Sequence, residues 1–235
     1  MDFFSRIWKR RLWLRSIFFT IYFNLKYLPF KQACRLPIIL YKPKLLKLKG
    51  RVVIESSNIS TGMILLGFPK VSIFPNSGIV FENHGGNCVF YGSCSIGNAS
   101  AISIGKTGNL YFGERFNATA CAKIVSYYSL EFKDNVSLGW DNVVTDTDFH
   151  KMTKIDGGYT KGYGKVVIGR YNWFGLRCTI LKNTDTPDFC TIGGNSVLNK
   201  KYDFPPYSVL AGNPCDKRGE GVYLNNRDDK IDYSC

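Results

Sequence analysis

The chain is poor in imidazole, in acid and in long apolar runs. It has 2 His in 235 residues, 18 Asp and Glu against 31 Lys and Arg, and no uncharged stretch in its aromatic N-terminal region longer than the ten residues Ser16 to Leu25. Each shortage closes a class. Ser16 to Leu25 is about half of what a bilayer-spanning helix needs. The expectation is a chain with no simple membrane span and, lacking a small-residue cleavage site, no secretory signal. Two histidines cannot provide a three-imidazole zinc site. The eight cysteines, at 34, 88, 94, 121, 178, 190, 215 and 235, include no Cys-x-x-Cys pair, so no metal is expected. Without a signal peptide they read as reduced cytoplasmic thiols. A Gly-x-x-x-x-Gly-Lys phosphate loop and a Gly-x-Ser-x-Gly elbow are also missing, which weakens kinase, ATPase and serine-hydrolase readings.

What is present can fold: 45% hydrophobic and 15% aromatic residues allow a sizeable core, and the length suits one domain, with or without an arm. The net charge of +13 is placed unevenly. Residues 1–50 hold 12 bases against the single acid Asp2, while residues 51–235 are close to neutral. In the basic segment Phe3, Phe4, Ile7, Trp8, Leu12, Trp13 and Leu14 alternate with the charges. That amphipathic style suits a membrane surface, or packing against the body with the charges in water. No nucleic-acid-binding motif accompanies it, so no nucleic acid partner is expected.

A repeat of six decides the fold class. Apolar residues recur as Phe90, Ile96, Ile102; Phe112, Ala118, Ile124; Phe132, Leu138, Val144; Ile168, Phe174, Ile180; and Ile192, Leu198, Phe204, Leu210. Glycine follows several of them, at Gly97, Gly113, Gly139, Gly169, Gly175 and Gly193. Six fits neither a helix nor simple strand alternation. It fits short strands separated by tight corners, three sides to a coil, with coils stacked in parallel ladders. Ile73 and Ile79 hint that coils begin in residues 51–89. Cys88, Cys94, Cys178 and Cys190 stand two residues before a repeat position and read as packing residues. The expected organisation is an arm over residues 1–50, a helix followed by extended chain after Pro37 and Pro43, then a β-solenoid over 51–218 and a tail over 219–235. The register breaks at residues 145–165, a long excursion, and at 182–190, which is either an irregular side or an outward loop.

Chemistry concentrates in the excursion. His150 closes the run "DTDFH", in which Asp146, Asp148 and His150 would project to one side of an extended strand. A neighbouring acid can hold an imidazole tautomer and stabilise its cation, as a base near neutral pH requires. Loop capping is the alternative for both aspartates. His84, in "FENHGG", has no such setting and reads as structural.

The hexad "IG" repeats, with "SLGWDNVVTDTDFHKM", "VVIGRYNWFGLRCTILKN" and "FPPYSVLAGNPCDK" in that order, resemble the hexapeptide-repeat acyltransferases over residues 70–218. The nearest branch O-acetylates sugars of capsule, exopolysaccharide and lipopolysaccharide. The resemblance implies an all-β, left-handed parallel β-helix, a homotrimer, acetyl-CoA as donor and a sugar or glycan acceptor. It also implies His150 as catalytic base with Asp148 and Asp146 as motif acids. Trp140 and Asn142 would approach the acceptor. Trp173, Gly175 and the turn Ala211, Gly212, Asn213, Pro214 would line the coenzyme groove. Two departures stand out: Cys215 and Asp216 follow that proline, shifting the phosphate-binding base to Lys217 or Arg218, and Asn183 replaces the usual glycine after "ILK". N-acylation of an amino sugar and a noncatalytic solenoid scaffold remain alternatives. The expected location is the cytoplasm, with peripheral contact at the inner face of its membrane through the arm.

Overall fold

Two residues in six turn inward, the repeat position and the one two before it. Ile96, Phe112, Ala118, Ile124, Phe174, Ile192 and Leu210 are among the repeat positions that lose essentially all contact with solvent, and only Phe204 stays half-buried. In the computed structural model, which describes residues 16–225, these residues fill a three-sided parallel β-helix. The first face has nine strands, from Ile38–Leu40 to Asp216–Glu220. The second has seven, from Pro43–Leu48 to Val197–Leu198, and the third has five, from Arg51–Ile54 to Val166–Ile168. The ladder keeps like with like: Ile96 pairs with Ala118, Ala118 with Leu138, Leu138 with Phe174, Phe174 with Ile192 and Ile192 with Leu210.

Corners recur with the same period. The third residue after an inward position takes a left-handed backbone, as at Ala99 (φ 58), Arg115 (φ 59), Asn135 (φ 60), Arg177 (φ 57) and Asn183 (φ 67). Asparagine tolerates that region better than most residues, so Asn183 turns its corner without the usual glycine. The glycines directly after the repeat position serve close approach instead. A Cβ on Gly97 would stand 1.7 Å from the Thr119 carbonyl oxygen, inside any allowed contact.

The break at 182–190 is a complete side. Thr186 takes the inward place, buried, and accepts a hydrogen bond from the Gly169 N–H at 3.0 Å, while Asp185 bridges Val167 and Lys201 in parallel. Cys88, Cys94, Cys178 and Cys190 are buried as expected.

The lower boundary differs from expectation. Coils begin at Ile38, which pairs with Ile64, and Pro43 opens the first strand of the second face opposite Ile79, so residues 38–50 belong to the solenoid. A proline can begin an edge strand because no ladder N–H is needed there. Ile73 is not a coil position: it is 70% exposed on the loop between strands Ile64–Phe68 and Ile79–Asn83.

The helix Ile17–Tyr27 closes the open edge below. Residues 16, 20 and 24 form one stripe, and the backbone N–H groups of Lys42, Leu40 and Ile38 donate to Ser16 Oγ (2.9 Å), Thr20 Oγ1 (3.1 Å) and Asn24 Oδ1 (3.2 Å). Asn24 Nδ2 returns a bond to the Ile38 carbonyl at 2.6 Å. Side chains thus pair the groups that an edge strand leaves bare. Phe23 packs edge-on against Phe81 beneath them, ring centroids 5.2 Å apart. Above, Asp216–Glu220 pairs antiparallel with Ser208–Ala211 and ends the ladder. The aromatic and basic residues of positions 1–15 lie outside the described residues.

Candidate functional site

The excursion leaves the edge between the second and third faces, directly after strand Val143–Thr145. Its root is Asp146, fully buried. The carboxylate accepts from Ser126 Oγ (3.0 Å), the Tyr127 N–H (2.8 Å) and the Tyr128 N–H (2.9 Å). Beyond it the chain forms an antiparallel finger, bridged at Thr147 with Tyr163 and at Thr153 with Tyr159, turning at Gly157 and Gly158. Gly162 lets its two strands close, since a Cβ there would stand 2.3 Å from the His150 carbonyl oxygen. Two aromatic contacts tie the finger to the coil below, Tyr127 with Phe149 (4.9 Å) and Tyr128 with Tyr163 (4.8 Å).

His150 stands exposed on this finger, and its imidazole has no hydrogen bond or ion pair with the described residues. The two acids do not share its side. Phe149 has φ 60, which breaks the strand alternation that would have aligned residues 146, 148 and 150. Asp146 points into the coil corner. Asp148 is paired with Lys182 Nζ at 3.1 Å. Lys182 has no sequence signal beyond its place in the "ILKN" stretch.

The other named residues gather on the first face and its edge with the second. Trp173 pairs with Thr191, and Thr191 with Val209, so two ladder steps of about 4.8 Å each connect Trp173 to the strand that precedes the Ala211–Pro214 turn. Gly175, Gly193 and Ala211 follow one another up this edge; the place of a Cβ on Gly193 is 3.0 Å from that of Ala211. Gly139 continues the column below, where a Cβ would meet the Phe174 carbonyl oxygen at 2.9 Å. This strip of small residues is legible in the glycines after the repeat positions. Gly212 has φ 111, and Arg218 folds back so that Nε donates to the Ala211 carbonyl at 3.2 Å. Lys217 pairs with Glu220 at 2.6 Å and holds that carboxyl below its usual range. Asn213 is exposed beside Pro214 at the tip of the turn.

Trp140 is half-buried against Phe74, with rings 5.7 Å apart. Asn142 corrects the expectation of an acceptor contact: it is fully buried. Its Nδ2 donates to the Gly175 carbonyl (3.0 Å) and its Oδ1 accepts from the Cys178 N–H (2.9 Å). It links successive coils and has no surface to offer a ligand. No group of three or more His, Cys, Asp or Glu capable of holding a metal occurs among the described residues. His150 and the Trp173 edge therefore occupy two different corners of one prism, with the second face between them.

No family model and no curated protein matches the chain. Solved structures similar to it include the polysialic acid O-acetyltransferase OatWY, 16% identical over 83% of this chain and 91% of that one, with a TM-score of 0.37. A mutant of AntD, an N-acyltransferase from Bacillus cereus in complex with dTDP and coenzyme A, is 14% identical over 72% of this chain and 83% of that one, with a TM-score of 0.43. A maltose O-acetyltransferase from Clostridium difficile 630 is 18% identical over 89% and 86%, with a TM-score of 0.40. At such values the likeness carries no argument about chemistry.

Proposed function

We propose that the protein is a coenzyme A-dependent O-acetyltransferase of the hexapeptide-repeat type, with left-handed coils, that acetylates a hydroxyl of a sugar or surface-polysaccharide precursor. One observation carries the reading. The longest excursion from the coils among the described residues presents a histidine with an uncommitted imidazole. The sugar hydroxyl is a poor nucleophile until a base takes its proton, and His150 is free to do so as the oxygen attacks the thioester carbonyl. The tetrahedral intermediate then expels the coenzyme thiolate, and no metal or acyl-enzyme is needed. Asp146 supports this chemistry by fixing the root of the finger, and Asp148 by its pair with Lys182. The donor would lie along Trp173, Gly175 and the Ala211–Pro214 turn, with Lys217 or Arg218 meeting a phosphate.

A homotrimer belongs to the proposal because base and donor edge occupy separate corners of one chain, so a second copy must complete each site. The finger supports this: Met152, Ile155 and Tyr159 are exposed toward its tip, an apolar patch suited to a neighbouring copy. We place the protein in the cytoplasm, with peripheral contact at an anionic membrane. No described helix is long and apolar enough to cross a membrane. Phe18, Phe19, Tyr22 and Leu25 nevertheless face outward from the capping helix, and residues 16–54 contain bases but no acid.

The test is thiol release from acetyl-CoA across activated sugars and lipid-linked glycans. Acceptor-dependent release that is lost in His150→Ala supports the reading. Full activity in folded His150→Ala trimers refutes the mechanism, and no release with any acceptor refutes the function.

A further inference from the structure

A second polar cluster lies on the outward surface below the finger. Glu82 and Ser103 are direct ladder partners on the second face, and their register continues through Val125 to Thr145, where the strand before the excursion ends. The Ser103 hydroxyl donates to Glu82 Oε1 at 2.6 Å. The other carboxylate oxygen, Oε2, lies 3.5 Å from His84 Nε2. His84, read from sequence as structural, is thus one of two partners of a single carboxylate.

Tyr127 joins this cluster to the finger. Its ring occupies the place beside Gly105 that any side chain would block, since a Cβ there would stand 2.5 Å from the ring. The phenol oxygen is 3.4 Å from Ser103 Oγ, and the ring meets Phe149, the neighbour of His150. Asp146 holds the Tyr127 backbone from behind. The Glu82 and His84 side chains keep 25% and 39% of their surface open to solvent. The cluster is therefore held from within and still reachable from outside.

We propose that Glu82, Ser103, His84 and Tyr127 form a subsite for a neutral, hydroxyl-rich sugar residue of an extended acceptor, next to the residue that is acetylated. The proposal rests on the acyltransfer reading and names its substrate class. A carboxylate has more lone pairs than its two partners use, and serine and phenol hydroxyls both give and accept hydrogen bonds, which matches sugar hydroxyls. Tyr127 and Phe149 add apolar ring surface with a polar tip, suited to the C–H face of a pyranose. The carboxylate disfavours an anionic residue at this place. From the level of Glu82 to that of Thr145 is three ladder steps, about 14 Å along the axis, more than a single ring spans. An acceptor that runs from Glu82 past the Tyr127 ring and Phe149 to the level of the finger's root is therefore an oligosaccharide.

The experiment uses full-length protein with neutral gluco- and galacto-oligosaccharides of one to six residues, and an anionic glycan as control. Saturation-transfer NMR reads binding, and thiol release from acetyl-CoA reads the dependence of kcat/KM on acceptor length. In the wild-type protein both rise with length, and Glu82→Gln lowers the long-to-short ratio about tenfold, the scale of one charge-assisted hydrogen bond. Ser103→Ala lowers it in the same direction, and both variants sediment as the wild type does. An unchanged ratio, binding only of the anionic control, no binding of any neutral glycan, or disassembly caused by Glu82→Gln would overturn the subsite. Length-dependent binding without donor consumption would uphold the subsite and refute the acyltransfer reading instead.

Discussion

Replacing Asp146 by alanine removes the acceptor of three hydrogen bonds at the root of the finger. Ser126 Oγ keeps a second partner, the Asn109 carbonyl at 3.0 Å, so the loss falls on the Tyr127 and Tyr128 N–H groups. A buried donor left unpaired costs about 1–3 kcal/mol, which gives about 2–6 kcal/mol for the pair, with the lower half expected if water enters the gap. Against a typical domain stability of about 5–15 kcal/mol this is a large fraction. Asp146→Asn keeps one acceptor oxygen and turns an amide donor toward the other N–H, so about half of that loss is expected.

The assay is urea unfolding at fixed protein concentration, because assembly makes apparent stability depend on concentration. It runs beside limited proteolysis at the finger and the pH dependence of acyl transfer. Loosening should reach Phe149 through Tyr127 and expose the finger to cleavage before the coils unfold. Where both proteins are folded, Asp146→Asn should lower kcat and leave the pH midpoint of the reaction where the wild type has it. Asp146→Ala with wild-type unfolding and the activity loss of His150→Ala would refute this reasoning, since it would mean that the carboxylate acts on the imidazole itself.

His150→Ala should leave folding and coenzyme binding intact and lower acyl transfer by roughly 100-fold or more, measured as thiol release in assembled protein. Asp148→Asn and Lys182→Met should each have a smaller effect, and the double variant no more than either alone, because the two side chains act on the finger as one partly exposed pair worth about 1 kcal/mol. The double change Lys217→Ala and Arg218→Ala should weaken coenzyme A binding by roughly 1–3 kcal/mol by calorimetry, less at high salt; an unchanged titration places the phosphate elsewhere. Burial pushes the Cys190 and Cys215 thiols up to about 11. The thiolate is the reactive form, so alkylation at pH 8 should mark Cys34 in native protein and reach Cys88, Cys178, Cys190 and Cys215 only after unfolding.

The solenoid was legible because its signal is repetition. Every coil needs an inward residue at the same place, and mistakes at one position are outvoted by the next. Ile73 fooled the period because one hexad match costs nothing; it lies on a loop that crosses outside the coils. Thr186 hid a true side because a buried threonine with a backbone donor can fill the place of an aliphatic residue. The start at Ile38 was missed for a different reason. The first strands pair on one edge only with coil and on the other with helix side chains, so Ser16, Thr20 and Asn24 supply what a repeat supplies elsewhere, and polar residues at helical spacing do not announce an edge strand. Sequence brought out His150 by its setting, whereas the alternation argument for Asp146 and Asp148 required an extended chain that Phe149 does not allow.

If His150 is the base and the Trp173 edge holds the donor, as proposed, the separation of the two corners requires a second copy to complete each site. On that assignment, a complete site in one copy would put the base on the edge that carries Gly139, Gly175, Gly193 and Ala211. His150 instead leaves from the opposite edge of the second face, on a finger with apolar residues that its own coils do not cover. Mixing is the decisive test. At acetyl-CoA well below the Kd of the Lys217→Ala/Arg218→Ala protein, that protein and His150→Ala, unfolded together and refolded, should exceed the summed acyl transfer of the two refolded apart, because some sites would pair an intact base from one copy with an intact donor edge from another. If the mixture forms mixed oligomers and yet gives no more than that sum, base and donor edge serve the same copy and the shared-site reading is wrong.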